Sequence, residues 1–357
     1  MPKTIPVRLS DFDYELPPEL IAQNALPKRP EARLLVLNRT QATIEHRLFG
    51  DIADYFESGD VLVLNDTKVV PARLFARRKT GGRVEILVLG PSNESGRADS
   101  KVRKVLIKPS GRVREGEQLI LDQDLTLRVL DAADGASGIR HVEFETGESV
   151  DAILDRIGRI PLPPYIDRED LPADRELYQT IFARSPGAVA SPTAGLHFDA
   201  PLLKKIEEKG VEILFVTLHV SYGTFQPVTS DDLSGHRMYE EYFEVSDETS
   251  ERINFAKMDG RRIVACGTTV VRALESARTD SVPPEVRPKA EMTELFIYPP
   301  YEFKIVDRMI TNFHLPKSTL LMLTSAFAGH EFLMHAYGEA IRERYRFYSY
   351  GDAMFIL

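Results

Sequence analysis

The chain has 357 residues, one cysteine and no tryptophan, and its 54 acidic side chains outnumber 45 basic ones for a net charge of −9. That length implies two or three domains with ample chain for a full core, and an apolar share of 43% excludes both wholesale disorder and a fibrous repeat. Cys266 alone can form no internal disulfide, which excludes a Cys-rich metal scaffold and points to a reducing, cytoplasmic setting. The opening MPKTIPVRLSDFDYELP has no apolar run of the secretory kind. The apolar stretch Leu320–Ala328 is far shorter than the roughly 20 residues a membrane span needs, so no membrane partner is expected. An acidic total argues against indiscriminate coating of nucleic acid but leaves room for a local basic face.

No 20–50-residue period repeats. In chain order, Ile52–Phe56 reads as helical. Seven short β-rich runs then follow between Val61 and Glu145: VLVLN, ARLFARR, RVEILVL, KVRKVLI, EQLILD, LTLRVL and IRHVEFE. Turn-formers separate them at Thr80-Gly81-Gly82, Pro91-Ser92-Asn93, Pro109-Ser110-Gly111 and Asp134-Gly135. Short strands at that spacing, with no helix between them, predict a small antiparallel barrel or sandwich. Val150–Ile157 is again helical. Beyond Pro161-Leu162-Pro163-Pro164 helix alternates with strand: Pro201–Lys209 (an amphipathic helix closed by Gly210), the buried strand Val211–Val220, helix Glu248–Met258, strand Arg262–Cys266, helix Val270–Ala277 and the buried helix Leu320–Ala328. The fold class expected is α/β: a mixed-sheet α/β domain made of residues 1–60 and 151–357, with an inserted small antiparallel β-barrel domain at 61–150.

Charge separates the two parts. Between Lys68 and Arg114 there are thirteen basic residues and three acids, a surplus of ten that leaves −19 for the rest of the chain. The window is the most favourable one, since Glu115 and Glu117 lie just beyond it. Such polarity suits a polyanion met on one face, and Lys68, Arg73, Arg77, Arg78, Lys79, Lys101, Arg103 and Lys104 are its candidate contacts. A solvated barrel with arginine-rich strands reads the same way.

Five segments have the makings of a site. Asn65-Asp66-Thr67-Lys68, followed by Pro71-Ala72-Arg73, leaves an apolar strand at its carboxyl end, where α/β ligand sites tend to lie, although Asn and Asp also mark ordinary strand exits. Ser191–Phe198 (SPTAGLHF) combines small residues with His197, a proton donor or acceptor near neutral pH or else a loop histidine bonded to backbone. In Leu218–Phe225 (LHVSYGTF) a buried strand runs through His219 into a glycine turn. At Ile263–Glu275 (IVACGTTVVRALE) a strand meets Gly267, then Thr268 and Thr269, and a helix begins, a junction that suits a carboxylate or phosphate. It is neither a P-loop nor a dinucleotide fingerprint. Thr311–Thr319 (TNFHLPKST) leads into the buried helix, with Ser318 as a plain N-cap and Phe313 and His314 available to stack on a base. The eight histidines are scattered, no CxxC, HExxH or GxSxG occurs, and no metal is expected.

Taken together and in order, LNDTKVVPARL, SPTAGLHF, GTFQPV, GTTVVRALE, LFIYPPYEF, TNFHLPKSTLLML and the terminal GDAMFIL resemble one family, the S-adenosylmethionine:tRNA ribosyltransferase-isomerases of bacterial queuosine biosynthesis. The resemblance runs from Asp11 to the last residue. Local departures are Ser221-Tyr222 in place of a glycine and a small residue, Tyr239 where histidine is frequent, and Pro300 where glycine is usual.

The resemblance implies an α/β domain carrying an inserted barrel. It also implies a reaction that needs neither metal nor bound redox cofactor. The ribosyl portion of the cosubstrate S-adenosylmethionine passes to 7-aminomethyl-7-deazaguanine at the tRNA wobble position, giving epoxyqueuosine and releasing adenine and methionine. The expected partner is a tRNA with a GUN-type anticodon, and the expected state a monomer. On that reading His197, His219, His314 and Asp66 are the acid–base candidates, since the sulfonium acidifies the 5′ carbon and adenine must leave. Gly267, Thr268, Thr269 and Arg272 are the candidates for the methionine carboxylate, Asn312 and Phe313 for the rest of the cosubstrate, and the eight basic residues above for RNA. Two rival classes remain. A S-adenosylmethionine-dependent RNA methyltransferase predicts a glycine-rich loop after the first strand of the sheet, and none is present. A non-catalytic RNA-binding protein leaves the polar strand-end loops without a purpose.

Overall fold

The computed structural model describes residues 8–90, 101–122, 125–131, 138–225, 228 and 231–357. The turns expected at Pro91-Ser92-Asn93 and Asp134-Gly135, the charged residues Glu94, Arg97 and Asp99, and Gln226-Pro227 of the GTFQPV motif lie outside the described residues.

The chain opens into a hairpin of β1 (Arg33–Asn38) and β2 (Thr43–Leu48). A 3₁₀ turn over Phe49–Tyr55 stands where a helix was expected; Phe49 and Ile52, three residues apart, bury on one side of it, a spacing that three residues per turn serves as well as an α-helix does. Strands β3 (Val61–Asn65) and β4 (Thr67–Val69) follow, then β5 (Arg73–Arg78), β6 (Arg83–Val88), β7 (Val102–Lys108), β8 (Gln118–Asp122), β9 (Leu125–Val129) and β10 (Ile139–Glu145). After helices α1 (Val150–Ile157) and α2 (Asp174–Leu177), β11 (Ser185–Ala188) pairs with β4. The remainder is α3 (Ala200–Glu208), β12 (Glu212–Leu218), β13 (Glu241–Val245), α4 (Asp247–Met258), β14 (Ile263–Cys266), α5 (Thr268–Ala277), β15 (Lys289–Thr293), β16 (Arg308–Asn312), α6 (Thr319–Ala328), α7 (His330–Arg342) and β17 (Ala353–Ile356). Ser149, Asp199, Ser246 and Ser318 cap α1, α3, α4 and α6, each side chain accepting from the backbone N–H three residues on.

Among the described residues, nine strands form a mixed sheet in the order β15-β13-β12-β3-β14-β16-β17-β1-β2, with β12, β3, β14 and β16 parallel. Strands β5 to β10 close a separate antiparallel barrel. Val61–Asn65, taken from sequence as the first run of the insert, is instead the middle of the large sheet. All five of its residues are buried, and a strand without polar alternation needs cover on both faces. The barrel strands do alternate, as in β9 and β10, with one face inward.

Period-2 geometry sorts the sheet's side chains into two layers. Val61 and Val63 of β3, with Ile263 and Ala265 of β14, meet Ile253, Leu274, Leu321 and Leu333 from α4 to α7. Leu62, Leu64, Val264 and Cys266 point the other way, onto Phe49, Ile52, Leu202 and Ile206. The barrel has its own core, into which α1 sends Val150, Ile153 and Leu154.

The two chain connections to the barrel run side by side. Arg73 and Arg159 exchange backbone hydrogen bonds at 3.1 and 2.8 Å, and Gly158 lies against Pro71. A Cβ on Gly158 would come within 2.0 Å of the Pro71 carbonyl oxygen and 2.3 Å of that of Leu154, and backbone cannot swing aside. Gly158→Ala is therefore expected to destabilise the fold by about 1–3 kcal/mol in urea unfolding. Gly147→Ala, with nothing within 4 Å of the new methyl, is the control, and equal midpoints for the two variants would contradict the clamp.

Candidate active site

Because β12, β3, β14 and β16 are parallel neighbours, their carboxyl ends bring His219, the Asn65-Asp66-Thr67 exit, the Gly267-Thr268-Thr269 junction and the Asn312-Phe313-His314 loop to one edge of the sheet. The Ser191–Phe198 segment joins them through Thr193, whose hydroxyl donates to Asn312 Oδ1 at 2.9 Å. Asn65 ties the edge together. Its Oδ1 accepts from the Thr67 and Leu218 N–H groups at 3.1 Å each, and its Nδ2 donates to the Leu218 carbonyl at 3.0 Å and to Thr269 Oγ1 at 3.2 Å. Sequence reasoning read Asn65 as a turn-former beside Asp66 and missed this bracing role.

An inner cleft of about 830 Å³ opens here, walled in part by Ser191, Thr193, Thr268, Thr269, Arg272, Asn312, His314 and Tyr348. Gly267 has φ +96°, which lets the chain leave β14 and enter α5 within one residue. Its N–H donates to the Ile310 carbonyl at 2.7 Å as part of the sheet, so the expectation that it would grip a carboxylate fails. The Thr268 and Thr269 N–H groups open the helix, where no carbonyl one turn earlier can accept from them. Arg272 and Glu241, 4% and 2% exposed, form a buried ion pair. Arg272 Nε donates to the Leu295 carbonyl at 3.1 Å, while its Nη2 is buried without a partner among the described residues. Ser191 Oγ, on the same cleft, is buried and unpartnered too. Such orphans cost free energy unless a ligand satisfies them. Glu241 gave no signal in the sequence because it sits in an acidic run, Glu240-Glu241 and Glu244, that reads as a solvated face.

Two expected cosubstrate contacts are otherwise employed. Phe313 belongs to the cleft wall but is fully buried, its ring packed against Tyr337, Tyr345 and Phe347 at centroid distances of 5.5, 5.6 and 4.8 Å, so it serves first as a core residue. The Asn312 side chain lines the cleft, but its Oδ1 is taken by Thr193 and its Nδ2 donates to the Tyr348 carbonyl at 3.1 Å and faces His197 Nε2 at 3.3 Å.

An outer cleft of about 770 Å³ lies between this edge and the barrel, with Leu89, Lys104, Leu106 and Ile139 on the barrel side and His219, Tyr222, Tyr239 and Tyr242 facing them. The two clefts share Val220 and Glu241. Tyr222, one of the family departures, bridges the parts: its hydroxyl meets Lys108 Nζ of β7 at 3.1 Å.

The acid–base candidates separate. His219 lines the outer cleft, stacks on Tyr242 at 5.5 Å and 22°, and has Nδ1 2.8 Å from Thr67 Oγ1. Burial lowers its pKa, partly opposed by the Asp66 charge. His314, on the inner cleft, bonds Thr311 Oγ1 at 2.8 Å, and burial takes its pKa down to about 3. His197 is on neither cleft. It packs under Phe49 beside Arg29 and Leu196, with its pKa at about 3 through burial and the nearby Arg29 and Arg346 charges. Asp66 is also on neither; its oxygens accept from Arg184 Nε and Thr217 Oγ1, both at 2.6 Å.

The basic residues of the barrel are not equivalent either. Arg73 pairs with Glu85, Arg78 is held by both oxygens of Glu117, Lys101 donates to the Glu148 carbonyl, and Arg103 is only 6% exposed. Lys68, Arg77, Lys79 and Lys104 are exposed, and none of the described residues forms an ion pair with them. Among the described residues no group of three His, Cys, Asp or Glu side chains is placed to hold a metal ion, and no helix is long and apolar enough to cross a membrane.

The chain resembles known proteins along its whole length. The sequence model of the family described as "Queuosine biosynthesis protein" matches residues 9–356. A protein of Sulfurihydrogenibium sp. (strain YO3AOP1) named S-adenosylmethionine:tRNA ribosyltransferase-isomerase is 48% identical over 356 residues, 98% of this chain and all of the relative. One of the same name from Thermotoga maritima is 48% identical over 352 residues with the same coverage. The crystal structure of a Thermotoga maritima S-adenosylmethionine tRNA ribosyltransferase aligns at 40% identity and a TM-score of 0.54, covering 97% of this chain and all of that one.

The two deeply buried histidines make the fold acid-sensitive. Both have pKa values near 3 when folded against 6.5 when free, so the unfolded chain binds more protons between those limits. Their contribution is complete above about pH 6.5 and is lost as pH falls toward about 3. His314→Gln is expected to flatten the fall of the urea midpoint across that window, and an unchanged slope would show that this imidazole does not protonate on unfolding.

Proposed function

Because the chain belongs to the S-adenosylmethionine:tRNA ribosyltransferase-isomerases of queuosine biosynthesis, we propose that its two adjoining clefts hold the two substrates of that reaction, the cosubstrate in the inner one and the tRNA base in the outer one. Family membership decides against the methyltransferase and non-catalytic readings. The reaction moves the ribosyl part of S-adenosylmethionine onto 7-aminomethyl-7-deazaguanine in tRNA and isomerises it to epoxyqueuosine, with adenine and methionine released. A tRNA with a GUN-type anticodon and a monomeric enzyme complete the proposal.

The observation that carries this reading is the buried Arg272–Glu241 pair beside the start of α5. The methionine end of the cosubstrate is a zwitterion. Its carboxylate suits the orphaned Arg272 Nη2, the Thr268 and Thr269 hydroxyls on the cleft wall and the first N–H groups of the helix, and its ammonium suits Glu241. Glu241 also belongs to the outer cleft, so a cosubstrate gripped there has its 5′ carbon close to the opening between the two.

His219 is the proposed base for the 5′ proton. Its lowered pKa keeps it neutral near pH 7, and in the tautomer proposed Nδ1–H donates to Thr67 Oγ1, which leaves Nε2 to accept. Asp66 acts through it as a positioning residue, by its charge and by anchoring the strand exit. His314, neutral on the inner cleft, is the proposed partner of the departing adenine. His197 holds Asn312 and takes no part in proton transfer.

Two experiments test these assignments. Mass spectrometry of tRNA incubated with S-adenosylmethionine, scored with free adenine, gives the rates. Thr268→Ala/Thr269→Ala combined with Arg272→Lys is expected to raise KM for S-adenosylmethionine at least about tenfold with kcat less affected, one charge-assisted hydrogen bond being worth about 1.5–3 kcal/mol. His219→Gln is expected to do the reverse, lowering kcat by about 10²–10⁴ and removing the acid limb of its pH profile. An unchanged KM in the first variant, or an unchanged kcat in the second, would overturn the corresponding role.

For RNA, reversing the charge of Arg77, Lys79 and Lys104 is expected to weaken tRNA binding and to reduce the slope of log K against log salt by about 0.7–0.9 for each phosphate no longer neutralised. Reversal of Arg78 alone instead exposes Glu117 and costs stability. Unaltered affinity and slope in the triple variant would return the barrel surface to simple solvation.

A further inference from the structure

Two exposed neighbours, Tyr239 and Glu240, line the outer cleft. Tyr239 is 46% exposed. Its ring lies directly against Gly223, where a Cβ would come within 2.3 Å of Tyr239 Cδ2, so the glycine allows the ring to settle on bare backbone at the cleft's edge. Next to it Glu240 is exposed and lines the same cleft, and no described residue forms an ion pair with it. Its neighbour Glu241 is by contrast already bonded to Arg272 and to the Ser221 N–H at 2.8 Å, and belongs to the proposed cosubstrate grip. Across the opening stand the apolar barrel residues Leu89, Leu106 and Ile139, with Lys104 among them.

We propose that Tyr239 and Glu240 form a nucleobase subsite selective for a guanine-type edge, the Tyr239 ring stacking on the base and the Glu240 carboxylate accepting from its N1–H and N2–H. The inference rests on the outer cleft being the tRNA side of the site. An exposed aromatic on the wall of a cleft that faces nucleic acid serves as a stacking platform, and stacking by itself tolerates any base. Discrimination needs the carboxylate. Its two oxygens match two adjacent donors, which a guanine-type ring presents on its six-membered side and which adenine, cytosine and uracil do not. The 7-substituent lies on the five-membered ring, across the bicycle from those donors. A base held by Glu240 keeps its aminomethyl group clear of that carboxylate, in a cleft that shares Val220 and Glu241 with the inner one. Lys104, exposed on the opposite wall, is then in place for a flanking phosphate.

The test uses the full-length enzyme and tRNA carrying either the 7-aminomethyl-7-deazaguanine base or its analogue without the 2-amino group. Tyr239→Ala is expected to lower kcat/KM for the modified tRNA about 5- to 150-fold, the worth of one base stack, while Tyr239→Phe stays close to wild type. The wild-type enzyme is expected to prefer the 2-amino base, and Glu240→Gln to lose most of that preference. Both residues are exposed, so the variants are expected to fold, with urea midpoints as the check, and KM for S-adenosylmethionine is expected to stay at the wild-type value. A Tyr239→Ala enzyme with unchanged kcat/KM, or a Glu240→Gln enzyme that prefers the 2-amino base as strongly as wild type does, overturns the subsite. A failure of the cosubstrate reading shows separately, as an S-adenosylmethionine KM that ignores Thr268, Thr269 and Arg272.

Discussion

The buried ion pair between Arg272 and Glu241 is the constraint around which the site is organised. Two charges that retain only 4% and 2% of their exposure to water are tolerable only together, and breaking such a pair typically costs about 3–5 kcal/mol. The pair exists because α5 begins immediately after β14, so that the fifth residue of the helix reaches the first residue of β13, which lies beyond β3 and β12 in the sheet. It joins the outer part of the sheet to its centre and leaves one guanidinium nitrogen unsatisfied at the wall of a cleft. One guanidinium thus serves the fold and, on the proposed reading, the ligand as well.

The barrel and the sheet make one site because their junction is held from both sides. The chain enters and leaves the barrel through adjacent backbone segments bonded to each other at Arg73 and Arg159, and Tyr222 reaches from the strand-end loop to Lys108 on β7. The outer cleft thus has one wall from each part. On the proposed reading, RNA on the barrel's exposed cations would meet a cosubstrate at the sheet edge without either part having to fold around the other.

Much of this was legible in the sequence. The apolar runs and the ordered strand-end loops predicted an α/β sheet with a barrel beside it, and four of the five polar segments supply cleft residues. Less legible was which residue in each loop faces inward. Asp66 drew attention as an ionisable group, yet it is spent on Arg184 and Thr217, while the neutral Asn65 braces three strand ends. Phe313 has the right chemistry to stack on a base and the wrong environment, because the rings of Tyr337, Tyr345 and Phe347 already surround it. A surplus of basic residues was countable along the chain, but Arg78 and Arg103 show that a charge in the count is not a charge on the surface.

What the sequence by itself determined is everything governed by near neighbours: the two-residue period that sends Val61 and Leu62 to opposite layers, the caps that start the helices, and the glycine that turns β14 into α5. What only the tertiary structure decided is which polar groups are left over for ligands. Asn65 bonds Leu218, 153 residues away, Thr193 bonds Asn312, 119 away, and Arg272 bonds Glu241, 31 away. A polar atom is free for chemistry only when no such distant partner has claimed it, and those partners meet only when the strands lie side by side.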